Sequence, residues 1–170
     1  MNYAVLGTGM VGHSLASKLV DLGHEVRMGA READNETAAA WAAGHGTNAG
    51  HGRFADVAGW AGQVSFAGAG AALLDVAATL PAEAVEGKTL IDVTNPLDGS
   101  KGFPPTLIEE LSNTPSAAEA LQSRLPAANV VKTLNTMTHK LMVDPGRIPC
   151  AHDVFLCGDD DAATAEVRAM

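Results

Sequence analysis

At 170 residues, with 46% hydrophobic and 18% charged residues, the chain has the composition of a globular protein able to bury one substantial core. Its 20 acidic against 11 basic residues leave a formal charge of −9, which repels nucleic acid and anionic membrane surfaces and requires any phosphate site to be local. No apolar run approaches the roughly 20 residues of a membrane-spanning helix, and the first residues lack the basic and long apolar regions of a secretory signal, so a soluble cytoplasmic protein is expected.

Along the chain, strand-length apolar runs alternate with helical patterns. Tyr3–Leu6, His24–Met28, Val64–Ala67, Thr89–Val93, Val130–Lys132 and Val154–Cys157 read as strands. The first helix is predicted from about Met10 to Leu22, where Val11, Leu15 and Leu19 recur every fourth residue, and Gly23 stops it. Two later helices are predicted over Ala71–Leu80, ended by Pro81, and over Ser116–Leu125, with Ser116 and Glu119 as a capping box and Pro126 at the exit. The glycine-rich stretches Gly44–Gly52 and Asp98–Pro105 read as loops, and Asp159–Met170 begins like a helix. Doubly apolar strands separated by helices imply an α/β fold with a doubly wound, mostly parallel sheet of the Rossmann type, here as one dinucleotide-binding domain over 1–170.

The run Gly7-Thr8-Gly9-Met10-Val11-Gly12 follows the first strand and opens the first helix. In that setting Gly7 permits the tight turn, Gly9 lets backbone approach a pyrophosphate, and Gly12 lets helix and strand pack, while the helix N-terminus offers N–H groups to anionic oxygens. The alternative is a tight turn without a ligand. At the end of the second strand, where an NAD enzyme usually presents a carboxylate to the ribose, the sequence reads Met28-Gly29-Ala30-Arg31. A small residue followed by arginine removes the repulsive carboxylate and supplies a planar cation for a 2′-phosphate, favouring NADP(H). The competing reading gives Glu32 the ribose and leaves Arg31 solvated.

These blocks, with Gly23-His24-Glu25-Val26, Asp92-Val93-Thr94-Asn95-Pro96-Leu97 and Val130-Val131-Lys132-Thr133-Leu134-Asn135-Thr136, together resemble the NADPH-dependent F420 reductase family, also called F420-dependent NADP oxidoreductases. The resemblance spans nearly the whole chain. It implies that Thr8 to Val11 line the pyrophosphate, that Ala30 and Arg31 meet the 2′-phosphate, and that Gly68 and Ala69 contact the nicotinamide half through backbone. Family members commonly carry serine where Ala30 stands and a basic residue near Asn35; without them one cation and no hydroxyl serve the phosphate. Longer members continue past the equivalent of Met170 with elements that help form a dimer and cover the flavin-like substrate, so this chain is expected to lack them or to complete its site with another chain, as in a homodimer.

Thr94, Asn95, Lys132 and Asn135 lie at or just past strand C-termini, where ligands bind in open α/β sheets: Thr94 and Asn95 are assigned to the cofactor, Lys132 and Asn135 to the substrate pocket. The leading expectation is hydride transfer between NADP(H) and a deazaflavin (F420) or flavin acceptor, a small molecule, with no certain catalytic side chain. Alternatives are an NADP-dependent hydroxyacid-type dehydrogenase, in which Lys132 of the K-x-x-N spacing would be acid or base, and a non-catalytic NADPH-binding module. A solvent-exposed strand-end lysine is the bland reading of Lys132. His45 and His51 lack carboxylates at ligand spacing, so no metal site is expected; His139 is a weaker pocket candidate, and Trp41 and Trp60 are expected to pack helices. Cys150 and Cys157 are expected to be buried reduced thiols.

Overall fold

The first strand, β1 (Asn2–Leu6), sends Ala4 and Leu6 to one side and Tyr3 and Val5 to the other, and all four are buried. A strand covered on both faces must sit in the middle of a layered fold, and the rest of the chain builds those layers. The computed structural model describes residues Met1–Met170. After β1 come α1 (Met10–Asp21), β2 (Glu25–Ala30), α2 (Glu36–Gly44), β3 (Ala49–Arg53), α3 (Phe54–Trp60), β4 (Gln63–Phe66), α4 (Leu73–Ala78), α5 (Ala82–Val85) and β5 (Thr89–Asp92). A two-residue ribbon, β6 (Leu97–Asp98) and β7 (Thr106–Leu107), precedes α6 (Ala117–Arg124), β8 (Asn129–Thr133), α7 (His139–Val143), β9 (Leu156–Cys157) and α8 (Asp161–Arg168).

The main sheet has the order β3-β2-β1-β4-β5-β8-β9, parallel except for the antiparallel last strand. This is the doubly wound dinucleotide-binding order with one strand added at the far edge. One core lies between the sheet and α3, α4 and α6, joining Leu6, Phe66 and Leu90 to Val57, Leu73 and Leu121. The other lies under α1, α2 and α8, joining Val5, Met28 and Val131 to Leu19, Trp41 and Val167. Direction along the chain reverses on either side of β1, so the carboxyl ends of β1 and β4 flank the crevice where such sheets bind ligands.

The predicted strands and helices recur within a few residues, and the Ser116–Glu119 capping box forms, with the Ser116 hydroxyl accepting from the Glu119 N–H and the Glu119 carboxylate accepting from the Ser116 N–H. Three expectations are corrected. Gly44–Gly52 is not all loop: its second half forms β3, aligned with β2 from Val26↔Ala49 to Ala30↔Arg53. Glycines carry no apolar pattern, and this edge strand is made by backbone pairing with β2 alone. The strand expected over Val154–Cys157 shrinks to Leu156–Cys157 and runs antiparallel to β8. Cys150 and Cys157 are exposed free thiols rather than buried ones, because they lie at and beyond the outer edge of the sheet.

Candidate functional site

The turn between β1 and α1 is shaped by three glycines with different duties. Gly7 has φ +137°, and a Cβ on it would lie 2.7 Å from the Gly68 nitrogen, so neither conformation nor space admits a side chain. A Cβ on Gly12 would lie 2.0 Å from the Gly7 carbonyl oxygen, which holds α1 tight against the turn. Gly9 is different: a Cβ there would meet nothing within 4 Å. The space above Gly9 is left open by the protein, and α1 begins there with no side-chain cap on its N-terminal N–H groups. A pyrophosphate fits both observations.

Gly7 to Val11, Ala30, Arg31, Gly68, Ala69 and Thr94 line one cavity of about 480 Å³, within the range of small-molecule sites. Gly12 packs behind the turn, and Asn95 follows Thr94 at the carboxyl end of β5. Apolar side chains of Phe54, Phe66, Leu73 and Val76 complete the wall. At the far end Arg31 is exposed and makes no ion pair, whereas Glu32 is bound by Arg53 at 3.0 Å. Asn35 also lines the cavity, with its side-chain oxygen accepting from the Ala38 N–H as the cap of α2.

At the opposite end, Lys132 neither extends into solvent nor lines the cavity. Its Nζ donates to Asp92 Oδ2 at 2.8 Å and to the Thr94 carbonyl, while Asp92 Oδ1 accepts from the Thr94 N–H at 2.8 Å. The Asp92 side chain is fully buried and that of Lys132 is 15% exposed. This pair therefore pins both polar groups of the Thr94 backbone. The Thr94 hydroxyl is buried without a partner. Asn95 and Asn135 clasp each other, Asn95 Nδ2 donating to the Asn135 carbonyl at 2.7 Å and Asn135 Nδ2 to Asn95 Oδ1 at 3.0 Å. Leu134, at φ +60°, turns the chain just before Asn135. Beyond that clasp lies a second cavity of about 720 Å³, lined by Asn135, Thr138, Leu141, Met142, Ile148 and Val154 among others.

Asp92 was not singled out from sequence, although a carboxylate closing the apolar run Leu90-Ile91 signals a buried charge in need of a partner. The partner is set by the register, which places Asp92 opposite Lys132. The other candidates have structural duties. His45 donates from Nδ1 to the Trp41 carbonyl, and its Nε2 meets the Ser17 hydroxyl, which in turn accepts from the Trp41 indole N–H. His51 donates to the Ala33 carbonyl, and His139 lies 2.7 Å from the Ser14 hydroxyl, joining α7 to α1. Trp60 packs on the core with the Arg27 guanidinium 4.0 Å from its ring centre. No three His, Cys, Asp or Glu side chains are grouped as a metal site requires, and no helix is long and apolar enough to cross a membrane.

Residues 2–96 match the family model described as NADP oxidoreductase, coenzyme F420-dependent. A crystal structure from Arthrobacter sp. FB24, provisionally described as an F420-dependent NADP reductase, is 46% identical with a TM-score of 0.91, over 99% of this chain and 78% of that one. At 19% identity the fold is shared with an imine reductase from Streptomyces aurantiacus, TM-score 0.65, over 99% of this chain and 51% of that one. It is shared too with a reductive aminase from Aspergillus terreus solved with NADPH and ethyl levulinate, 19% identical, TM-score 0.57, over 82% of this chain and 43% of that one. Comparison with curated proteins finds no match. With the glycine turn, the open space over Gly9 and an arginine where a ribose-binding carboxylate would stand, this chain belongs to the coenzyme F420-dependent NADP oxidoreductase family and is an NADP-dependent oxidoreductase.

Proposed function

We propose that the protein transfers hydride between NADP(H) in the first cavity and a deazaflavin of the F420 type, or a flavin, in the second. The observation that carries this reading is the pair of cavities at the carboxyl ends of the strands, with the Asn95–Asn135 clasp beside the end of the first and in the wall of the second. The dinucleotide supplies the hydride, and the chain's part is binding, orientation and exclusion of water. Gly7 to Val11 receive the pyrophosphate on backbone N–H groups, and Arg31 takes the 2′-phosphate. Gly68, Ala69 and Thr94 border the nicotinamide half, and Asn135 faces the acceptor.

In this reading Lys132 is a positioning residue. Two of its three donors are engaged, by Asp92 and by the Thr94 carbonyl, and it lines neither cavity, so it holds the Thr94–Asn95 turn in place and does not pass a proton to substrate. That favours flavin-type acceptors over hydroxyacids, whose oxygen must gain or lose a proton along with the hydride. The experiment is to follow NADPH absorbance while offering F420, FMN and a panel of 2- and 3-oxoacids in turn. Turnover with F420 or FMN and none with oxoacids is expected. Turnover confined to an oxoacid would overturn the proposal.

A further inference from the structure

Arg31 is the one charged residue that lines the first cavity, and other charges stand near it. In the segment after β2, Arg31 is followed by Glu32, Asp34 and Glu36, all exposed, so the stretch that carries the cation is itself net acidic. A single guanidinium in that setting, on a chain of charge −9, is a poor phosphate trap. The structure supplies a second one. Parallel pairing of β3 with β2 sets Arg53 directly beside Ala30, the residue before Arg31. The same strand braces the segment through His51, whose Nδ1 donates to the Ala33 carbonyl at 3.1 Å.

We infer that Arg53 is a second cation for the adenosine 2′-phosphate, and that Glu32 holds it as a stand-in anion until the phosphate arrives. This rests on the reading of Arg31 as the phosphate end of the cavity. Arg53 touches Glu32 through one nitrogen, Nη2 to Oε2 at 3.0 Å, and leaves the rest of its five-donor fork free. The two side chains are 59% and 66% exposed, and ion pairs that open to water are weakly held. A phosphate carries more charge than a carboxylate and offers three acceptor oxygens, so exchange of partners favours the nucleotide. Glu32 thus acts in two ways against NADPH: it occupies Arg53 and it adds negative charge beside the phosphate. Its role is the opposite of a ribose-binding acid, since its carboxylate is committed to Arg53 and turned to the phosphate's counter-charge.

The test is isothermal titration of NADPH and NADH into the wild type and the Arg53→Met, Glu32→Gln and Arg31→Ala variants, with thermal unfolding of each. Arg53→Met is expected to raise the NADPH Kd by roughly tenfold or more, as for a lost charge-assisted bond, and the NADH Kd by less than about twofold. Glu32→Gln is expected to lower the NADPH Kd several-fold and leave NADH unchanged. An NADPH Kd in Arg53→Met within about twofold of wild type, or equal losses for both nucleotides, overturns the inference. So does weaker NADPH binding in Glu32→Gln, a readout that stands even if the Arg53 variant unfolds. If Arg31→Ala alone loses NADPH selectively, only the role of Arg53 fails; if neither arginine variant does, the phosphate end itself has been misplaced.

Discussion

Two ion pairs stand just outside the first cavity, one next to Arg31 and one under Thr94, and they differ in nearly every physical respect. Glu32–Arg53 is a single contact between side chains more than half exposed. Asp92–Lys132 closes over a fully buried carboxylate and shares its remaining hydrogen bonds with the Thr94 backbone. The exposed pair contributes little to folding and can change partners when a stronger anion arrives. The buried one is fixed: breaking it strands a charge in the interior, so it serves geometry instead of exchange. In the proposed reading, electrostatic recognition sits at the rim, where water lets charges be traded, and rigid positioning sits beside the nicotinamide ring.

The largest expected effect tests the space between the two ends. Gly9→Val puts three carbons where the protein leaves nothing within 4 Å of a Cβ, so titration should show no binding of NADPH or NADH while the thermal midpoint stays near wild type. Binding that survives would mean the pyrophosphate lies elsewhere. Next comes Lys132→Met, which should destabilise the fold by about 3–5 kcal/mol in urea denaturation because Asp92 is left charged and unpaired. Adding Asp92→Asn should recover part of that loss, whereas Arg53→Met should cost less than about 1 kcal/mol. Equal costs for the two cations would erase the contrast drawn here.

The smallest effect concerns α6, away from both ends. The Ser116 N–H and hydroxyl hold the Glu119 carboxyl below its ordinary value of 4.5. A carboxyl depressed in the fold adds stability that is present above its ordinary value and disappears as pH falls through the folded one. The thermal midpoint of wild type should therefore exceed that of Glu119→Ala at pH 7, with the gap narrowing as the pH falls below 4.5 and through the depressed folded value. A gap independent of pH would show that the capping box acts without its charge.

Legibility in the sequence followed the range of the interactions. The glycine turn could be read because each glycine answers a local demand, and the place of Arg31 because β2 ends at a fixed distance past that turn. The capping box on α6 is likewise settled within four residues. Asp92 and Lys132 stand 40 positions apart, and their union depends on the parallel register of β5 with β8. Read alone, Lys132 looked like a group free for chemistry or solvent. The strand β3 was hidden for another reason: Ala49, Gly50 and Gly52 have almost no side-chain pattern, and only pairing with β2 makes them a strand and brings Arg53 beside Ala30.

The most direct test of the account is competition against bound NADPH by two fragments, 2′,5′-ADP and 5′-AMP, which differ in the 2′-phosphate. In wild type, 2′,5′-ADP should displace NADPH at far lower concentration. Arg31→Ala should shrink that advantage by about 1.5–3 kcal/mol, the range for hydrogen bonds to charged groups, and Lys132→Met should leave it intact despite the lower stability. Equal displacement by the two fragments in wild type, or an advantage that survives Arg31→Ala and vanishes with Lys132→Met, would contradict the assignment of recognition to the exposed end and positioning to the buried one.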